Sequence, residues 1–183
     1  MSRPRPFWVM PEYTVAPEFI DAVEDAANSV EPQDASLMGG KQNPNIRVSS
    51  IRFLDPTQFK DIADHVFDIV SQINAEFFGV DIQSVQALQH TTYNKGAHYK
   101  PHVDVEWETN PESSIFDRKL SVSILLTDPS EFKGGDLIIE GQKVELVRGG
   151  IVVFPSYAPH EVTRVTKGTR TSLVSWIWGP RWR

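Results

Sequence analysis

A histidine and an aspartate two positions apart, His102 and Asp104, are the residues whose types and spacing first suggest chemistry in this chain. They close the stretch YNKGAHYKPHVD, which runs from Tyr93 to Asp104. In extended backbone alternate side chains share a face, so an imidazole and a carboxylate would reach one space while Val103 points away. That supplies two donors of a two-histidine, one-carboxylate set, the arrangement that suits non-haem Fe(II) with open coordination positions. By itself the pair is common, and a surface histidine beside a solvated aspartate has the same spelling.

A third donor must come from elsewhere, and the chain has five histidines. His65 falls at a polar position of a predicted helix and reads as solvated. His90 lies in a predicted strand and reads as structural. His98 is expected in a turn near the mouth of a site. His160, in FPSYAPHEVTRV, follows an apolar strand and a turn marked by Pro155 and Pro159. A side chain there is re-aimed rather than packed, so His160 is the candidate third ligand, with an ordinary turn histidine as the alternative.

Arg170 opens the apolar run RTSLVSWIW. A guanidinium entering a buried strand is costly unless it meets an anion, and no Asp or Glu follows it in residues 171–183. Either a carboxylate from an earlier strand or a bound carboxylate held in bidentate fashion would satisfy it. Ser172 would point the same way in a strand and add a hydroxyl. A metal set plus one buried arginine describes a site for a 2-oxoacid dicarboxylate, with its keto acid end on the metal and its far end on the arginine.

The elements that must position these residues change character along the chain. Residues 1–16 read as an extended arm that tucks Phe7, Trp8 and Val9 onto the body. A helix is predicted from Pro17, with Phe19, Ile20, Val23, Ala27 and Val30 on one stripe and Asp21, Glu24 and Asp25 in water. Residues 31–46 read as a loop, and Arg47 to Leu54 as one short strand. Asp55-Pro56 predicts a second helix to about Phe78, turning Phe59, Ile62, Val66, Phe67, Ile69, Val70, Ile73 and Phe77 inward, with Gly79 ending it. From Val85 the period becomes extended. Strands are predicted over 85–93, 121–126, 137–140, 143–147, 151–154, 161–165 and 171–178. Strands after two helices give an α+β, mainly β class: a β-sandwich or jelly roll backed by N-terminal helices.

Composition narrows the classes. With 183 residues and 40% hydrophobic content, a single domain over 1–183 is expected. No cysteine is present, which removes disulfides, thiolate metal sites and cysteine nucleophiles. The N-terminus lacks a signal-peptide pattern and no apolar run would cross a bilayer, so a cytoplasmic protein with no membrane partner is expected. The net charge of −6 argues against a nucleic-acid partner.

With these residues in view, the chain resembles the Fe(II)/2-oxoglutarate-dependent dioxygenases of the prolyl 4-hydroxylase type, including the PKHD-type hydroxylases. The likeness rests on Tyr93 to Asp104, on RKLSVSILLTDPSEFKGGDLIIEG and on GGIVVFPSYAPHEVTRVTKGTRTSLVSWIWG. It implies a double-stranded β-helix (jelly roll) as catalytic core over about 85–180, with helical support over about 1–84. It implies that His102, Asp104 and His160 bind Fe(II), and that Arg170 and Ser172 hold the far carboxylate of 2-oxoglutarate with Tyr93 beside it. Tyr99 and Trp176 match aromatic positions near iron and substrate, or else are barrel packing. Some relatives carry a cosubstrate-touching tyrosine near Leu125, which cannot donate a hydrogen bond. The implied reaction uses O2 and 2-oxoglutarate, releases succinate and CO2 and hydroxylates a C–H bond, with ascorbate as reductant. A prolyl residue in a peptide or protein is the implied substrate; a free amino acid or small molecule, or a non-catalytic metal-binding module, are the alternatives. Residues 105–118, which include Trp107, read as a mobile lid over the substrate or as a plain surface loop.

Overall fold

The computed structural model of the protein describes residues 6–35, 43–105 and 116–182. Helix α1, Pro17–Asn28, opens on a proline at a position that needs no N–H and buries Ile20, Val23, Ala26 and Ala27. Helix α2, Lys60–Ile73, buries Ile62, Ala63, Val66, Ile69, Val70 and Ile73. Both boundaries of the second helix differ from the sequence expectation. Asp55 caps a separate turn, accepting from the Thr57 N–H at 2.7 Å, and α2 begins at Lys60. At the other end the helix widens into a π-helical turn, Asn74–Phe78, closed by Gly79 at φ 59°. The wider turn shifts the side-chain register, so Phe78 is buried and Phe77, expected inward, is 42% exposed.

The strands form two antiparallel sheets. They are β1 (Gln33–Asp34), β2 (Arg47–Val48), β3 (Ser50–Leu54), β4 (Ser84–Tyr93), β5 (His98–His102), β6 (Phe116–Leu125), β7 (Leu137–Ile139), β8 (Gln142–Val144), β9 (Ile151–Pro155), β10 (His160–Val162) and β11 (Arg170–Pro180). The larger sheet has the order β1-β3-β4-β11-β6-β9, and the smaller β2-β5-β10-β7-β8. The expected single strand from Arg47 to Leu54 breaks at Ser49, where the chain leaves one sheet for the other. Residues 31–46 are not all loop, since β1 pairs there with β3.

The larger sheet is covered on both faces. Ile151 and Val153 join Leu88, Leu120, Val122, Leu173 and both helices in one apolar cluster. Val152 and Phe154 point the other way, into a second cluster with Leu137, Ile139 and Val162 of the smaller sheet. This double burial is why the β9 sequence reads as an unbroken apolar run rather than an alternation. The N-terminal arm lies along β9 through paired bonds between Val9 and Val153, although Phe7, expected against the body, is 60% exposed. Trp182 folds back: its N–H donates to Asp117 at 2.7 Å and the Lys119 ammonium lies 3.7 Å over its ring.

Asn74 locks the π-helical turn, donating from Nδ2 to the Val80 carbonyl at 2.8 Å and accepting from the Val80 N–H at 3.0 Å. Asn74→Ala strips both partners from Val80, and an expected loss of about 2 kcal/mol should appear as a lower urea midpoint at unchanged slope. An unchanged midpoint would show that water replaces the clamp.

Candidate metal centre

Strand β5 ends on His102 and β10 begins on His160, and the antiparallel register sets the two residues opposite each other. Asp104 lies just past β5, on a bend rather than in the strand. Its N–H donates to the Ser156 carbonyl at 2.8 Å, which ties the segment after β5 to the segment before β10. One donor atom from each of His102, Asp104 and His160 falls within 4.8 Å of the others.

Local hydrogen bonds fix the ligand atoms. The Nδ1 of His102 lies 2.8 Å from the Lys100 carbonyl, and that of His160 3.0 Å from the Ala158 carbonyl. A carbonyl only accepts, so both Nδ1 atoms carry the proton and both Nε2 lone pairs stay free. The Nε2 atoms lie 3.9 Å and 3.5 Å from the Asp104 carboxylate. Ser121 Oγ donates to Asp104 Oδ2 at 2.7 Å and sits 3.0 Å from Ser156 Oγ. Burial pushes the His102 imidazole down to about 4, with His160 adding to the effect. Burial works to raise the Asp104 carboxyl, but His160, His102 and the Ser121 hydroxyl outweigh it and hold it below its usual range. A neutral His102 imidazole and an ionised carboxylate are therefore presented at neutral pH beside the His160 ring, whose Nε2 faces the same carboxylate, a donor set that fits Fe(II).

These donors line a cavity of about 200 Å³ between the two sheets. Arg170, Ser172, Val174 and Trp176 occupy alternate positions of β11 and all line it, which spaces Arg170 about 20 Å along the strand from Trp176. Arg170 is 3% exposed, and its guanidinium donates to Ser172 Oγ at 3.1 Å. Among the described residues no carboxylate forms an ion pair with it. Asp136 reaches it only at longer range and is itself paired with Lys143 at 3.0 Å. Gly135 makes room for the arginine stem, since a β-carbon there would stand 3.0 Å from Arg170 Cδ. The Tyr93 ring lies 5.7 Å from the guanidinium carbon, and burial raises its phenol, which stays a donor at neutral pH.

Tyr99 stacks on His102 with ring centroids 3.5 Å apart. Trp176 carries the Arg118 guanidinium over its ring at 4.1 Å. Its buried indole N–H makes no hydrogen bond of normal geometry, yet it is near enough to help hold the Asp104 carboxyl down. The site residues singled out from the sequence thus meet in one cavity, except Trp107, which lies outside the described residues with positions 106–115 of the expected lid. His98 is a correction: it is buried within β5 opposite Val48 rather than in a turn at the mouth. His90 is buried and meets Glu24 at 3.2 Å, so Glu24 bridges helix to sheet instead of facing only water. Sequence reasoning passed over Arg47, Arg118, Ser121 and Ser156. Serines at alternate positions of the apolar β6 run were the one available signal, because a hydroxyl in a buried strand needs a partner.

Residues 88–178 match the family model described as the 2OG-Fe(II) oxygenase superfamily. The chain is 26% identical over 168 residues to the PKHD-type hydroxylase YbiX of Escherichia coli (strain 55989), covering 89% of this chain and 74% of that protein. Its fold matches a Pseudomonas putida prolyl-4-hydroxylase at a TM-score of 0.71 and 22% identity, over 96% of this chain and 94% of the other. It also matches a Trichoplax adhaerens prolyl hydroxylase, solved with a hypoxia inducible factor peptide fragment, at 0.72 and 15% identity, over 94% and 84%.

Two outcomes are expected of the centre. Ser121→Ala frees Asp104 Oδ2 and should weaken Mn(II) or Co(II) binding roughly 10-fold or more in an anaerobic titration; unchanged affinity would mean the backbone alone orients the carboxylate. Acid should destabilise the metal-free protein. The unfolded chain binds the His102 proton near 6.5 and the folded chain only near 4, so stability falls as pH drops through that window. Asp104, depressed as well, adds loss of the same sign as pH falls through its own lowered range. Urea midpoints from pH 7 to 4 should trace the decline, and His102→Gln should flatten it.

Proposed function

Because the chain belongs to the 2OG-Fe(II) oxygenase superfamily, we propose that it is a dioxygenase that binds Fe(II) through His102, Asp104 and His160 and hydroxylates peptidyl proline. Bound together, Fe(II), 2-oxoglutarate and O2 supply the chemistry, in which succinate and CO2 are released and one oxygen atom enters a C–H bond. In this reading the residues of the chain bind, orient and exclude water. Arg170 takes the far carboxylate of 2-oxoglutarate in a bidentate grip, with the Ser172 hydroxyl at its edge. Tyr93 donates its phenolic proton to the same cosubstrate. Leu125 is buried and apolar, so no second phenol shares the load. Tyr99 shields the outer face of His102, and Trp176 closes the wall beside Asp104. Ascorbate fits as the reductant that keeps the metal ferrous.

One observation carries the reading: a buried guanidinium with no acid paired to it among the described residues, in the cavity that also holds two histidines and a carboxylate. A binding module built on the metal alone has no use for that charge. The prolyl substrate rests on the company the chain keeps, since a related structure with the same fold is a prolyl hydroxylase holding a peptide.

The full chain, given Fe(II) and 2-oxoglutarate without oxygen, should develop a weak visible charge-transfer band. Arg170→Met should abolish it at limiting cosubstrate and raise the 2-oxoglutarate KM roughly 100-fold. It should also leave the metal-free protein as stable as before or more so, because an uncompensated buried charge is gone. No band in the unaltered protein would favour a non-catalytic module. Incubation with Pro-containing peptides, iron, ascorbate and 2-oxoglutarate should add one oxygen to proline by mass spectrometry.

A further inference from the structure

Arg47 stands on the edge strand β2, directly opposite Tyr99 of β5. Its guanidinium carbon lies 4.5 Å over the Tyr99 ring, and that ring lies 3.5 Å from the His102 ring. Guanidinium, phenol and imidazole thus form three layers running outward from the metal donors. The Nε of Arg47 donates to Ser49 Oγ at 3.0 Å, which fixes the plane of the group. Among the described residues it forms no ion pair, although it is half-buried and lines the cavity.

The charge balance of the cavity points the same way. Among the described residues its charged lining is Arg47, Arg118 and Arg170 against Asp104, in a chain whose net charge is −6. A ferrous ion and a 2-oxoglutarate dianion would cancel each other on binding, and Asp104 offsets one arginine. The loaded cavity therefore keeps an excess of positive charge, which draws anions into a low-dielectric cleft. Arg118 is committed to the wall, donating to Gln86 at 2.6 Å and to the Asp104 carbonyl at 3.3 Å. Arg47, tethered among the described residues at Nε alone, has its terminal nitrogens for a ligand.

We propose that Arg47 is a specificity residue that binds a carboxylate on the substrate, so that the preferred substrate is acidic close to the carbon that is hydroxylated. The proposal rests on the oxygenase reading above and adds the charge class of the substrate to it. One ring, that of Tyr99, separates Arg47 from His102, the nearest metal donor, so the carboxylate belongs about one or two residues from the target in a peptide, or on the target molecule itself if that is a free acid.

The test uses the full chain loaded with Mn(II) and 2-oxoglutarate under argon, where probes bind without turnover. Capped seven-residue peptides with one proline and Glu, Gln or Lys beside it form one arm. Proline and a prolyl dipeptide as free acids, against their amides, form the other. The Glu peptide or the free acid should bind at least tenfold tighter than its neutral partner, with Lys weakest and the gap narrowing as salt rises. The arm that shows the gap identifies the source of the carboxylate. Arg47→Gln should close the gap to less than twofold, Arg47→Lys should keep part of it, and neither should change 2-oxoglutarate affinity measured without a probe. Equal binding of charged and neutral probes, no binding of any acidic probe, or a gap that survives Arg47→Gln overturns the proposal. A fall in 2-oxoglutarate affinity in Arg47→Gln does so too, by making Arg47 a cosubstrate anchor. If the iron charge-transfer band is present and the probe pattern is absent, only this inference falls.

Discussion

The pairing of β5 with β10 is the constraint on which the site depends. Side chains alternate across a strand, so a slip of one residue would send His160 to the opposite face and leave Asp104 and His102 with no third donor. Two kinds of bond hold the register. The ladder places His160 opposite His102, and the Asp104 N–H to Ser156 carbonyl bond fixes the irregular backbone just beyond it. Both histidines then anchor their Nδ1 protons on carbonyls two residues back in their own segments. Ring orientation is thus settled locally, once the strands are in place.

The larger sheet lets this arrangement survive the charges it buries. One face carries the helices and most of the apolar contact, and the other carries Tyr93, Ser121, Arg170 and Ser172 toward the cavity. Stability and function are thereby divided between two sides of the same strands. Apolar burial on the helical side offsets the desolvation of Asp104 and Arg170 on the cavity side, neither of which finds a full counter-charge among the described residues. Ligands that supply those counter-charges stabilise the folded state by mass action.

Much of this was legible in the sequence, and the limits were physical. His102, Asp104 and His160 stood out because their spacing matched a strand and a re-aimed turn. Arg170 stood out because its charge is expensive in an apolar run. Ser121 and Ser156 did not, since serine costs little in a strand and its partner is set by packing. Arg47 carried no signal at all, because its closeness to Tyr99 comes from pairing between separate strands. The helix errors have local causes. Periodicity cannot see a π-helical turn, so it turns Phe77 inward where the structure buries Phe78, and Asp55 makes a turn rather than the first cap of α2. The break at Ser49 was hidden for a related reason, since β2 and β3 each look like half of one strand.

That break has a further consequence. Arg47 on one side of Ser49 and Ile51 and Phe53 on the other all border the same cavity, although they belong to different sheets. One residue therefore sets how far apart the two walls stand at that edge. It acts as a spacer of fixed width, and lengthening it by a residue or two is the most direct way to build a version of the protein with a wider entrance.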